Sequence, residues 1–252
     1  MTGVFLTLRL LGLQTGVDTT FRPAFAISRR DTARPGPLLI APMTDAPAPR
    51  LLLITPVLAE IDAFEATLES AVLAGDVAAV VIRLAPADER TLLARAKALV
   101  SAVQSEGAAA LLAGDGVEEI VGRSGADGVH VATAVEAIEA IERFAPEKIV
   151  GCGPLVSRDE AMSVGEAGAD YVLFGADDAD FEQTLERVGW WVPIFQTPCV
   201  GVAATIDDVS ALARENVEFV GLGDAVWRNE AGPAAAVAAA EAMLSLARAP
   251  GS

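Results

Sequence analysis

Eight short apolar runs, each separated from the next by a stretch at helical period, constrain this chain more than any other feature. The runs lie at 51–55, 78–84, 108–112, 128–131, 148–152, 171–175, 199–203 and 219–222. The stretches between and after them, at 61–74, 88–106, 116–124, 133–144, 157–167, 181–188, 206–215 and 233–248, space apolar residues three and four apart, as in Leu92, Ala96 and Leu99, or Ile138 and Ile141. Apolar runs without polar alternation are the signature of strands buried on both faces. Their alternation with helices predicts a parallel sheet covered by helices. Eight such units close on themselves, so the expected architecture is a single-domain (β/α)8 TIM barrel over about residues 51–248. An open doubly wound sheet is the alternative, but a GxGxxG turn after the first strand is missing. Ser157 ahead of Asp159 and Glu160, and Thr205 ahead of Asp207 and Asp208, read as helix N-caps, and Gly168 as a C-terminal glycine.

The 252 residues suffice for one such barrel. The net charge of −17 is unevenly spread. Residues 1–42 carry five Arg and two Asp, and the rest of the chain is correspondingly more acidic. So acidic a body repels a nucleic-acid backbone and an anionic membrane surface, so neither is expected as a partner. No apolar run approaches the roughly 20 residues of a membrane span. Cys152 and Cys199 sit in apolar runs without metal-ligand spacing, which suits buried thiols in a reducing cytoplasm. Residues 1–42 read as a disordered extension or a mispredicted start ahead of a barrel domain at 43–252, with a mitochondrial-type presequence as the runner-up. Five prolines at 32–49 read as linker.

Chemistry in this fold belongs at the C-terminal ends of the strands. Arg83 ends the second run and is either an anion ligand or the partner of a buried carboxylate. Asp115, between Gly114 and Gly116, is either a Mg²⁺ ligand or a helix cap. His130 is the only histidine, and a satisfied structural group is the favoured reading for it. Asp177 and Asp178 read as solvated loop acids. The loops after strands seven and eight often hold a phosphate in such barrels, which makes Ala203, Ala204, Gly223 and Asp224 candidate phosphate-binding positions, although Asp224 would oppose an anion. The Trp190-Trp191 pair reads as an exposed interface or as core packing, and a homo-oligomer stays open.

The segment Gly125-Ala126-Asp127-Gly128-Val129-His130 resembles the "gaDGVHlGq" strand of thiamine phosphate synthases and the related TenI branch. Ile149-Val150-Gly151 with Ser157-Arg158-Asp159-Glu160-Ala161 resembles their fifth strand and helix, and the block from Gly168 to Gly175 resembles "GADYvgvGp". Leu53-Ile54-Thr55 and Val81-Ile82-Arg83 resemble "LIT" and "vQlR". The resemblance spans about residues 51–227. It implies a Mg²⁺-assisted reaction joining hydroxymethylpyrimidine pyrophosphate to thiazole phosphate with loss of pyrophosphate, in which Arg83 would be catalytic and Asp115 would hold the metal.

The same resemblance marks departures. Val81, Ala85, Val135, Gly153 and Asp224 stand where the family has a glutamine, a lysine, a metal-binding aspartate and two serines. The "TxTK" loop is replaced by residues 176–180, and the "GGI" turn by Ala203-Ala204-Thr205. The histidine expected of a TenI tautomerase in the strand-five loop is missing. Two expectations follow. One is a transferase of thiamine metabolism with a degenerate active site. The other is a non-catalytic barrel that binds a small phosphorylated ligand or a protein partner.

Overall fold

The computed structural model describes residues 48–247. Eight parallel strands, each hydrogen-bonded to its neighbours in chain order, form a closed barrel. They are β1 (Arg50–Ile54), β2 (Val77–Arg83), β3 (Ala109–Ala113), β4 (Gly128–Val131), β5 (Ile149–Cys152), β6 (Tyr171–Phe174), β7 (Cys199–Ala203) and β8 (Phe219–Leu222). The helices are α1 (Phe64–Leu73), α2 (Glu89–Ser105), α3 (Val121–Ser124), α4 (Ala134–Phe144), α5 (Arg158–Ala167), α6 (Phe181–Trp191), α7 (Val209–Arg214), α8 (Asp224–Trp227) and α9 (Pro233–Ala247). The expected segment at 1–42 lies outside the described residues. No described helix is long and apolar enough to cross a membrane.

The two-residue period of each strand divides the apolar residues between two cores. Leu52, Ala79, Val81, Leu111, Tyr171, Leu173, Val200 and Val202 fill the inside of the barrel. Leu51, Leu53, Val80, Ile82, Val129, Val150 and Val172 face outward and pack with Leu68, Leu99, Val188, Leu212 and Leu244 of the helices. One large ring closes the inside. Tyr171 is fully buried and occupies the space over Gly151, where a Cβ would lie 2.0 Å from the ring.

The N-terminal rim is tied by a repeated device. An acid stands immediately before every even-numbered strand. Asp127 accepts the amide of Ala110 at 2.8 Å, Asp170 that of Val150 at 2.9 Å, and Glu218 that of Cys199 at 3.0 Å. Each bond reaches back one strand. Asp76, before β2, instead takes the Arg50 side chain of β1 at 2.7 and 2.9 Å.

Caps fix the helix starts. Ser157 accepts the amide of Glu160 at 3.2 Å, and Gly168 closes α5 in the left-handed region (φ +98°). Thr133 and Glu136 form a capping box on α4. Each such cap stabilises its helix by about 1 kcal/mol. Thr205 does not cap as expected. Its amide and hydroxyl both donate to Asp208, which forms a turn and delays α7 to Val209. The stretch expected as one helix at 116–124 splits into a 3-10 turn (Val117–Glu119) and α3. Four-residue α8 has too little length for a periodic signal. Trp191 is buried in the outer core, with its indole N–H donating to Thr197 O at 2.8 Å, so packing rather than exposure explains it.

Candidate functional site

A cavity of about 560 Å³ opens at the C-terminal ends of the strands. Its floor is made by inward-facing positions at the strand ends: Ile54, Val81, Arg83, Ala113, His130, Leu173 and Val202. Its rim comes from the loops that follow, and includes Asp115, Glu118, Glu136, Pro154 and Asp177. One arginine therefore faces four carboxylates among the lining residues.

Arg83 is half-buried and anchored from one side. Its amide donates to Thr55 Oγ1 at 2.9 Å, and its Nε donates to the Thr55 carbonyl. Buried Thr55 in turn donates its hydroxyl to Pro56 O at 2.9 Å. Among the described residues no carboxylate lies within 4.0 Å of the guanidinium. The buried-partner alternative for Arg83 is thus removed. A held guanidinium with its terminal N–H groups facing a cavity suits an anionic ligand.

His130 is satisfied on both nitrogens. Nε2 lies 3.1 Å from the carbonyl of Gly153, which can only accept, so Nε2 carries the proton. Nδ1 then accepts the hydroxyl of Tyr171 at 2.8 Å. Burial pushes the imidazole pKa down to about 4; the Gly153 carbonyl opposes this and the charge of Arg83 adds to it. The ring is neutral near neutral pH and supplies no second cation. Burial also raises the Tyr171 hydroxyl well above its usual range. Cys152 closes β5 with its thiol on Thr133 O at 3.4 Å, and burial pushes it up to about 12, so it is no thiolate near pH 7.

The rim acids fall into two groups. Glu136 is engaged, since its carboxylate accepts the amides of Ala132 and Thr133 at 3.1 and 3.0 Å. Asp177 is engaged as well: its Oδ1 accepts the amide of Asp224 at 2.7 Å. The reading of Asp177 as a solvated loop acid is corrected by that bond, while Asp178 is exposed. Asp115 is exposed and does not cap the 3-10 turn that follows. Neither Asp115 nor Glu118 carries a hydrogen bond or ion pair from its carboxylate among the described residues. No cluster of three or more His, Cys, Asp or Glu side chains suited to a metal occurs among them. Asp115 and Glu118, three positions apart, both line the cavity, and one or two carboxylates shared with the oxygens of a diphosphate are the mode of Mg²⁺ binding that needs no such cluster.

Ala203, Ala204, Gly223 and Asp224 meet beside the ends of β7 and β8 but do not line the cavity. Asp224 pairs with Arg228 at 3.1 Å. Trp227 of α8 donates its indole N–H to Ile54 O at 2.6 Å, tying the last strand-end loop to β1. Thr55, Tyr171, Glu118, Glu136 and Asp177 are site residues that the sequence did not single out as such. Only Glu136 had a local signal, the Thr133-x-x-Glu136 capping pattern.

A family model described as thiamine monophosphate synthase matches residues 51–226. The thiamine-phosphate synthase of Rhodospirillum centenum is 36% identical over 204 residues, covering 78% of this chain and 96% of that one. That of Hyphomonas neptunium is 34% identical over 219 residues, covering 80% and 98%. Among solved structures, a thiamine phosphate pyrophosphorylase from Pyrococcus furiosus superposes with a TM-score of 0.67 at 21% identity, over 79% of this chain and 97% of that one. A 3-hexulose-6-phosphate synthase superposes with a TM-score of 0.58 at 16% identity, over 77% and 99%.

Proposed function

The chain belongs to the thiamine monophosphate synthase family, and from that premise we propose that its mouth binds a small phosphorylated ligand of thiamine metabolism beside Arg83, with the joining reaction strongly reduced. The observation that carries this reading is the charge of the cavity lining, in which Arg83 is the sole cation against Asp115, Glu118, Glu136 and Asp177. Joining the two precursors expels pyrophosphate, and the barrier depends on neutralising the charge that develops on it. Arg83, held by Thr55, supplies one charge-assisted contact. Ala85 and Val135 supply none. Each missing contact of this kind raises the barrier by about 1.5–3 kcal/mol. Asp115 and Glu118 would hold Mg²⁺ together with the ligand's diphosphate, and the ion would polarise its oxygens. Neutral His130 keeps the Gly153 carbonyl fixed at the mouth and moves no proton at neutral pH. The free, buried thiols of Cys152 and Cys199 suit a reducing cytoplasm.

The test combines turnover with binding. Purified protein is mixed with hydroxymethylpyrimidine pyrophosphate, thiazole phosphate and Mg²⁺, beside a second synthase of the family as control. Thermal shift is then followed with pyrophosphate and thiamine phosphate. The expected result is joining far below the control together with a saturable stabilisation that Arg83→Ala removes. Joining at the control's rate would overturn the reduced-turnover half. No stabilisation by either ligand would overturn the binding half.

A further inference from the structure

We propose that Asp177 determines ligand specificity at the mouth: a pinned carboxylate that walls off the β7–β8 side of the cavity and turns phosphate groups toward Arg83. The chain leaves β6 through Gly175, which is left-handed (φ +87°) and so close to α6 that a Cβ would lie 2.6 Å from Thr184 Oγ1. That turn carries Asp177 toward the end of β8, where its Oδ1 accepts the amide of Asp224 at 2.7 Å. Gly223 leaves the space for it. A Cβ there would stand 2.2 Å from Oδ1 and 2.6 Å from Oδ2. The carboxylate therefore sits in a backbone niche that a side chain at position 223 would fill.

The cavity lining divides at this point. It takes residues from the loops after β1 to β6, then Val202 of β7, and none from the loops after β7 and β8. In a closed barrel of eight strands, β2 and β6 are diametrically opposed. The Arg83 guanidinium and the Asp177 carboxylate thus stand on opposite sides of the mouth, with Asp115 and Glu118 after β3 and Glu136 after β4 along one arc between them. A solvated loop acid would swing away from an incoming anion, but this one is held by its bond to Asp224. Repulsion across the mouth between this fixed carboxylate and the two or three charges of a pyrophosphate changes affinity by about tenfold. The ligand class that fits carries its phosphate at the Arg83 end and an uncharged or cationic ring at the Asp177 end. This inference rests on the reading that the mouth binds such a ligand.

Isothermal titration of the full chain with inorganic pyrophosphate and, separately, with thiamine tests it, using wild type, Asp177→Ala and Asp177→Asn. Asn keeps an oxygen for the Asp224 amide and removes the charge. The expected result is pyrophosphate bound about tenfold more tightly by both variants, and the thiamine cation bound more weakly. If Asp177→Ala fails to fold by circular dichroism, Asp177→Asn alone decides. Pyrophosphate affinity unchanged within about twofold in a folded variant overturns the proposal. If wild type binds pyrophosphate through Arg83 while the Asp177 variants bind it equally, this inference falls and the proposed function stands. If neither wild type nor the folded Asp177 variants bind pyrophosphate or thiamine, the proposed function falls and this inference falls with it.

Discussion

At the base of the barrel, Asp127, Asp170 and Glu218 each accept a strand amide at 2.8–3.0 Å. At the mouth, Asp115 and Glu118 face the cavity with no such bond among the described residues. Acids of the same kind thus do different work at the two ends. Those at the base satisfy amides that the sheet ladder leaves open, and their removal strands a buried donor. Those at the mouth contribute little to folding, which leaves them free to set what the cavity accepts. Asp177 and Glu136 lie between the two cases, because they bond backbone and face the cavity at once. Overall acidity therefore says little about this protein's ligand, whereas the bonding state of each acid says a good deal.

Three substitutions probe that contrast in decreasing order of effect. Asp127→Ala strips the acceptor from the Ala110 amide and from the Gln104 amide, which donates to the same oxygen at 2.9 Å. It should lower the free energy of unfolding by about 2–3 kcal/mol in urea titrations and leave pyrophosphate binding alone. A cost near zero would erase the distinction between base and mouth. His130 comes next. Its folded pKa of about 4 lies below the ordinary value of 6.5. Between those values the unfolded chain binds a proton that the folded chain refuses. Stability should be full above about pH 6.5 and fall by on the order of 2 kcal/mol as pH drops toward 4. Urea midpoints of wild type and His130→Gln across that window isolate the contribution, and parallel curves would refute it. Asp115→Ala should shift stability by less than about 0.5 kcal/mol. It should nonetheless weaken pyrophosphate binding in Mg²⁺ more than in its absence, and an equal effect in both buffers would remove Asp115 from any metal role.

The scaffold was legible because burial on both faces leaves an uninterrupted apolar run. β4, β7 and β8 match their expected bounds, β5 and β6 differ by one residue at one end, and β1, β2 and β3 are shifted by one residue at both ends. Where local chemistry had competing uses, the sequence was less informative. Thr205 can donate or accept while the Asp208 carboxylate accepts, and the turn they form, with the Thr205 amide and hydroxyl donating to Asp208, displaced the expected cap. The bond from Asp177 to Asp224 joins residues 47 apart in sequence, so nothing near Asp177 announces it. The base device was legible in principle, since an acid directly precedes each even-numbered strand. Two of those acids, Asp127 and Asp170, stood out only through the family resemblance. Arg83 and Asp115 were placed at the cavity by strand-end reasoning alone, because the barrel puts the last inward-facing residue of a strand and the loop after it at one opening.

The acids at the base carry one further consequence. Each reaches back to the strand before its own, so the carboxylate ties join β1 to β2, β3 to β4, β5 to β6 and β7 to β8, and skip the other four seams. The barrel is fastened as four two-stranded blocks. Chain ends relocated to a seam between blocks, such as 145–147 after α4, leave every tie inside continuous polypeptide. Ends relocated inside a block, such as 125–126 ahead of Asp127, make one tie hold two loose ends together. A circular permutant opened at the first position should therefore keep a higher urea midpoint than one opened at the second, and the reverse order would show that the blocks are not units of assembly.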